Sequence, residues 1–89
     1  MIYCEDYLKE VLGNKLYDFL GIDSIERSAL AQLYNHILRF SKEEGSYTIR
    51  AWFVGRKTYL GDNTPAEMFR DGYIDEVLKE IDRYIKSGE

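Results

Sequence analysis

The chain is poor in the residues on which much site chemistry depends: its 89 residues include one cysteine, Cys4, and one histidine, His36. A lone cysteine forms no internal disulfide, and together with a single imidazole it does not complete an ordinary tetrahedral zinc site. A hydrolase triad would have to use His36, yet the surrounding periodicity places it mid-helix beside Ile37, where a histidine usually serves as a satisfied structural group. One proline, Pro65, leaves nothing resembling a Pro-rich linker, and there is no internal repeat. No stretch approaches the roughly 18 apolar residues of a membrane span. The opening Met1-Ile2-Tyr3-Cys4-Glu5-Asp6 is acidic where a signal peptide is basic. A soluble, cytoplasmic protein without metal or cofactor is the expectation.

What the chain does have is apolar and aromatic content, 45% and 15%, which sets it apart from disordered sequences. Its length feeds one core and so one domain, residues 1–89. The formal charge of −4 is an average over unlike segments. Residues 1–45 hold eight acids and five bases, and residues 62–89 hold eight acids and four bases. Residues 46–61 hold Arg50, Arg56 and Lys57 with no acid at all. That stretch reads either as a solvated loop or as a local basic contact surface on an acidic protein.

Helical spacing dominates the rest. Tyr3, Tyr7, Leu8, Val11 and Leu12 fall on one stripe up to Gly13, and Leu16, Phe19 and Leu20 repeat the spacing up to Gly21. Asp23-Ser24-Ile25-Glu26 has the form of a capping box opening a long helix over about 24–43. Ile25, Ala29, Leu30, Leu33, Ile37 and Phe40 lie on its inner face, and Gly45 stands as its C-terminal cap. Thr64-Pro65-Ala66-Glu67 opens a short helix that Asp71-Gly72 closes. A last amphipathic helix runs from Tyr73 to about Lys86, with Ile74, Val77, Leu78, Ile81 and Ile85 inward, and Gly88 ends it. On that helix Asp75, Glu76, Glu80 and Asp82 have Lys79, Arg83 and Lys86 as i+3 and i+4 partners, which makes a solvated face of what would otherwise resemble paired general acids. Residues 46–61 admit two readings. Tyr47, Ile49, Ala51 and Phe53 alternate as in a strand, with Gly55-Arg56 able to turn a hairpin. Ser46 can equally cap a helix in which Ile49, Trp52 and Phe53 share a face.

No phosphate-binding loop is present, since the seven glycines are scattered. Leu16 to Leu33 has the outline of a helix-turn-helix with Gly21 at the turn. However, Tyr17 stands where close packing wants a small residue, and Asp23 and Glu26 would meet phosphate at the start of the recognition helix.

From Trp52 the chain reads Trp-Phe-Val-Gly-Arg-Lys-Thr-Tyr-Leu-Gly-Asp-Asn-Thr-Pro-Ala-Glu-Met-Phe-Arg-Asp-Gly, followed by Val77-Leu78. This resembles the toxin-binding domain of Xre/MbcA/ParS-type antitoxins. That family has Trp-Leu, a loop, Leu-Gly-Gly, one residue, Thr-Pro, an acidic residue two after the proline and a later valine. Trp52, Leu60, Gly61, Thr64, Pro65, Glu67 and Val77 match those positions. The likeness extends more weakly back to Ile22, covering about residues 22–86. The chain departs from the pattern where Arg56 and Thr58 replace loop prolines and Asp62 replaces the second glycine. Residues 1–21 are also fewer than the family's helix-turn-helix domain takes.

The resemblance implies an all-α fold, a small single-domain bundle of about five or six helices, several of them short. It decides residues 46–54 in favour of helix and divides the chain into short N-terminal helices, 1–21, and a toxin-binding part, 22–89. The motif residues would be structural: Trp52 and Leu60 as core, Gly61 as a bend, and Thr64, Pro65 and Glu67 as a cap. The implied function is non-enzymatic, the binding and occlusion of a partner toxin of the RES or ADP-ribosyltransferase-like type, which consumes or transfers from NAD. Candidate contacts are Arg56, Lys57 and Tyr59 in the basic loop and Tyr84, Lys86 and Glu89 near the C-terminus, arginine and tyrosine being favoured interface anchors. The alternatives are a small DNA-associated transcriptional regulator using residues 14–40 and an interaction domain recruited to another complex. Eight tyrosines, among them Tyr3, Tyr7, Tyr17 and Tyr34, exceed what a core this size needs and point to a homodimer surface in the N-terminal half.

Overall fold

The computed structural model describes residues 4–87, without the side chains of Cys4 and Tyr59. The fold is all-α, as expected. Its helices are α1 (Cys4–Leu12), α2 (Asn14–Leu20), α3 (Arg27–Glu43), α4 (Ser46–Val54), α5 (Pro65–Arg70) and α6 (Ile74–Ser87), with 3-10 turns at Ile22–Ser24 and Thr58–Leu60. Among the described residues no strand forms; Lys57 and Asn63 make an isolated antiparallel bridge.

Residues 46–54 are helical. Ile49, Trp52 and Phe53 fall on one side of α4 and are buried there, so tertiary burial overrides the strand propensity of the run. Ser46 is the first helical residue, with Gly45 before it and no side-chain cap. Gly45 is therefore no left-handed terminator of α3, since its φ is −76° and Glu44 closes that helix in extended geometry.

The start of α3 also differs from expectation. Asp23 and Ser24 belong to the 3-10 turn, and α3 begins at Arg27 with no side-chain cap from Glu26. The reason is tertiary: the Asp23 carboxylate accepts a 2.7 Å hydrogen bond from the Tyr17 hydroxyl and so is committed across the turn to α2. The Thr64 cap forms. Its hydroxyl oxygen accepts from the Glu67 amide at 3.1 Å and donates to the Glu67 carboxylate at 3.0 Å, and Pro65 takes the first helical turn. Gly13, at φ +84°, separates α1 from α2 in a backbone region that side chains rarely enter.

The core draws on all six helices, from Leu8 and Leu12 through Tyr17, Leu33, Ile37 and Phe40 to Ile49, Phe53, Phe69, Val77 and Ile81. α3 lies along α6, while α1 packs on α2, α3 and α4. α2 rests on α1 and α5, and α5 also touches α4 and α6. The radius of gyration, 12.0 Å, is what about 2.2·N^0.38 Å gives for a compact domain of this length.

Three of the tyrosines that pointed to a dimer surface, Tyr7, Tyr17 and Tyr34, make contacts inside the molecule. Tyr17 is buried, and Tyr7 bonds Ser41 at 2.7 Å and meets Tyr34 edge to face at 5.5 Å. Tyr3 lies outside the described residues.

Candidate functional site

The acid-free stretch does not present three cations to solvent in the same way. Arg50, on α4, turns back to the C-terminal end of α1. There its Nε donates to the Val11 carbonyl at 2.8 Å and its Nη2 to the Glu10 carbonyl at 2.9 Å. Those carbonyls have no partner within their own helix, and a cation at a helix C-terminus is favoured by the dipole as well. Lys57 holds its Nζ 5.6 Å from the centre of the Trp52 ring, which combines a cation–π contact with burial of its aliphatic stem. Arg56 is exposed. The side chain of Tyr59 lies outside what the structure describes.

The C-terminal candidates also separate. Tyr84 is half-buried, its ring 5.3 Å from Phe40 and 6.4 Å from Trp52, with its hydroxyl 3.5 Å from a Glu44 carboxylate oxygen. Lys86 is exposed, and Glu89 lies outside the described residues. Lys57 and Tyr84 thus both approach Trp52, from the loop and from α6. Trp52 is 4% exposed, and among the described residues its indole N–H has no hydrogen-bond partner. Leu60 is half-buried, and Gly61 bends the loop at φ +67°.

A different surface emerges from the packing. The end of α1, together with α2, α4 and α5, encloses an open groove of about 1280 Å³ floored by Leu12, Leu16 and Ala66. Phe19 of α2 and Tyr47, Ala51 and Val54 of α4 form apolar walls. Phe19 is 39% exposed, Tyr47 84% and Val54 61%. Phe19 falls on the helical stripe of Leu16 and Leu20, yet only those two are buried. The Arg70 guanidinium covers one face of the Phe19 ring at 4.9 Å. Lys15 and Arg50 mark the α1–α2 end of the groove, while Glu67, Arg70 and Asp71 line α5.

Sequence reasoning missed this groove, because its lining runs from Leu12 to Asp71 and only the fold assembles it. One local signal was available. In Ser46–Val54 a single residue, Arg50, is charged. A surface helix normally pairs its apolar stripe with a broad polar face, and α4 has only Ser46, Thr48 and Arg50 for one.

The remaining polar groups hold the scaffold. The two His36 nitrogens lie 2.7 Å from the Gln32 carbonyl and 3.2 Å from Asp82, and Arg39 reaches the other Asp82 oxygen at 2.7 Å. Asp82 therefore ties α6 to α3 and does not pair along its own helix as its spacing proposed. Glu80 does, with Arg83 at 3.4 Å. Tyr17 has its acidity strongly suppressed, first by burial, then by its bond to Asp23 and the negative charges of Asp23, Glu5 and Asp18. Among the described residues no three His, Cys, Asp or Glu side chains gather as a metal site, and no helix is long and apolar enough to cross a membrane.

A scan against protein-family models, a search of curated proteins and a search of solved structures each find no match for this chain.

Proposed function

We propose that the chain is a protein-binding module of the antitoxin kind, occluding a toxin enzyme of the RES or ADP-ribosyltransferase-like class. The observation that carries the binding role is α4. It buries Ile49, Trp52 and Phe53, yet leaves Tyr47 and Val54 open on a groove with an apolar floor. An apolar surface rimmed by polar residues is the ordinary mark of a protein contact.

Two features support the antitoxin resemblance in particular. The Thr64-Pro65-x-Glu67 cap forms, and it starts α5 directly after the loop. Asp62, standing where the family has its second glycine, adopts φ +64°. That is a left-handed conformation glycine enters without strain and other residues seldom take.

The test is co-expression with a RES or ADP-ribosyltransferase-like enzyme, sought in the adjacent open reading frame. Expressed alone, that enzyme is expected to arrest growth and deplete cellular NAD; with this chain present, growth and NAD should be retained and the two proteins should co-purify. Unchanged NAD loss in the presence of well-expressed, folded chain would overturn the proposal.

A further inference from the structure

We infer that the groove seats an amphipathic helix of the partner protein, its apolar stripe on Leu12, Leu16 and Ala66 and an acidic side chain at the end marked by Lys15 and Arg50. This rests on the protein-binding reading above and names the kind of segment bound. Size is the first argument. About 1280 Å³ exceeds the roughly 300–1,000 Å³ of ordinary small-molecule clefts, and the space is an open trough suited to a length of chain.

Backbone accounting is the second. The walls are helices whose peptide groups are bonded internally, and among the described residues there is no strand edge. An extended peptide would find few partners there for its own N–H and C=O groups, whereas a helix satisfies them within itself. Packing between helices also suits the flanking surface, where Phe19, Tyr47 and Val54 stand as ridges on either side of the floor.

Charge complementarity is the third. The protein as a whole carries −4, but at the α1–α2 end the charges among the lining residues are the Lys15 ammonium and the Arg50 guanidinium. Two Arg50 nitrogens already bond the α1 carbonyls, which fixes the group in place; Nη1 makes no bond among the described residues and can donate to a carboxylate. At the α5 side Glu67 and Asp71 accompany Arg70, so an acid placed there would be opposed. The groove is therefore electrically polar along its length, and it discriminates which end of the bound helix carries the acid.

The experiment uses the full 89-residue chain as bait for a displayed library of helices of about 18 residues, five turns, randomised along one face and at both ends. Enriched helices should share an i, i+3, i+4, i+7 apolar stripe with Asp or Glu at one end. The best of them, made synthetically, should lose at least about tenfold in affinity toward Val54→Asp and Lys15→Glu chains. Changing its acid to Lys should restore binding to Lys15→Glu. Circular dichroism should show both variants folded, and Tyr47→Lys, at the most exposed wall position, gives a second probe should Val54→Asp unfold. Helices that bind the Val54→Asp and Tyr47→Lys chains as tightly as the parent, or a charge swap without effect, would overturn the inference. The co-expression assay separates the two levels. Protection retained by folded Val54→Asp and Tyr47→Lys would remove the groove and leave the antitoxin reading standing; failed protection by the parent chain together with charge-selective helix binding would do the reverse.

Discussion

The two sides of α4 differ in everything except composition. Inward, Trp52 meets Phe40 edge to face at 5.7 Å and Phe53 at 5.1 Å, and it is closed over by Lys57 and Tyr84. Outward, Tyr47, Ala51 and Val54 have water where the inner face has a core. Both sides are apolar, so the hydrophobic effect acts on both, and the fold satisfies one of them. The lesson is that a small domain can finish its own core and still carry a second apolar face that the fold leaves open. Stability and the proposed binding then lie on opposite sides of the same nine residues, and each can be damaged alone.

The sharpest way to break that comparison is from inside. Trp52→Ala should cost about 3–5 kcal/mol in urea unfolding, the usual price of truncating a buried aromatic. Arg50→Ala acts at the seam, stranding the Glu10 and Val11 carbonyls. About 1.5 kcal/mol is expected, the low end for bonds to a charged group because the side chain is largely exposed. Tyr17→Phe removes the bond to Asp23 for about 1 kcal/mol at neutral pH, and it also changes the alkaline limb. In the parent, the tyrosine ionises more easily unfolded than folded, so stability is fully present below about pH 10 and falls as pH rises further. Denaturant midpoints measured against pH should therefore decline less steeply above pH 10 in Tyr17→Phe. Asp62→Gly should raise stability by about 0.5 kcal/mol, since relief of the left-handed backbone outweighs glycine's entropy cost. On the open side Val54→Asp should move the urea midpoint by no more than about 0.5 kcal/mol in equivalent free energy. An effect there as large as that of Trp52→Ala would mean the two faces are not separable.

How far the fold could be read in the residues depended on the range of the forces involved. Thr64, Pro65 and Glu67 act within one turn, and their cap was legible. Asp23 offers the same local chemistry as Thr64, but Tyr17, six residues away, takes its carboxylate, and the long helix starts three residues later than the spacing proposes. The 46–54 run was undecidable from periodicity because Tyr47, Ala51 and Val54, which line the groove, add apolar residues opposite the buried Ile49, Trp52 and Phe53. Arg50 was counted with the basic stretch, since composition does not show a side chain turning back to carbonyls 39 and 40 positions earlier. The loop packs Lys57 over Trp52, but the groove depends on Leu16, Val54 and Ala66 being neighbours, which is a property of topology.

The Arg50 bonds have a consequence for the order in which the molecule can be made. As the chain leaves the ribosome, the last carbonyls of α1 must wait for a residue synthesised about forty positions later. α2 and α3 pack early on α1, but α2 gains α5 and α3 gains α6 only later still. Early segments are therefore completed by late ones, and assembly is deferred until almost the whole chain has emerged. A nascent half-chain exposes its core-facing residues together with Phe19, and the exposed wall that outlasts folding is continuous with a much larger apolar surface that folding conceals.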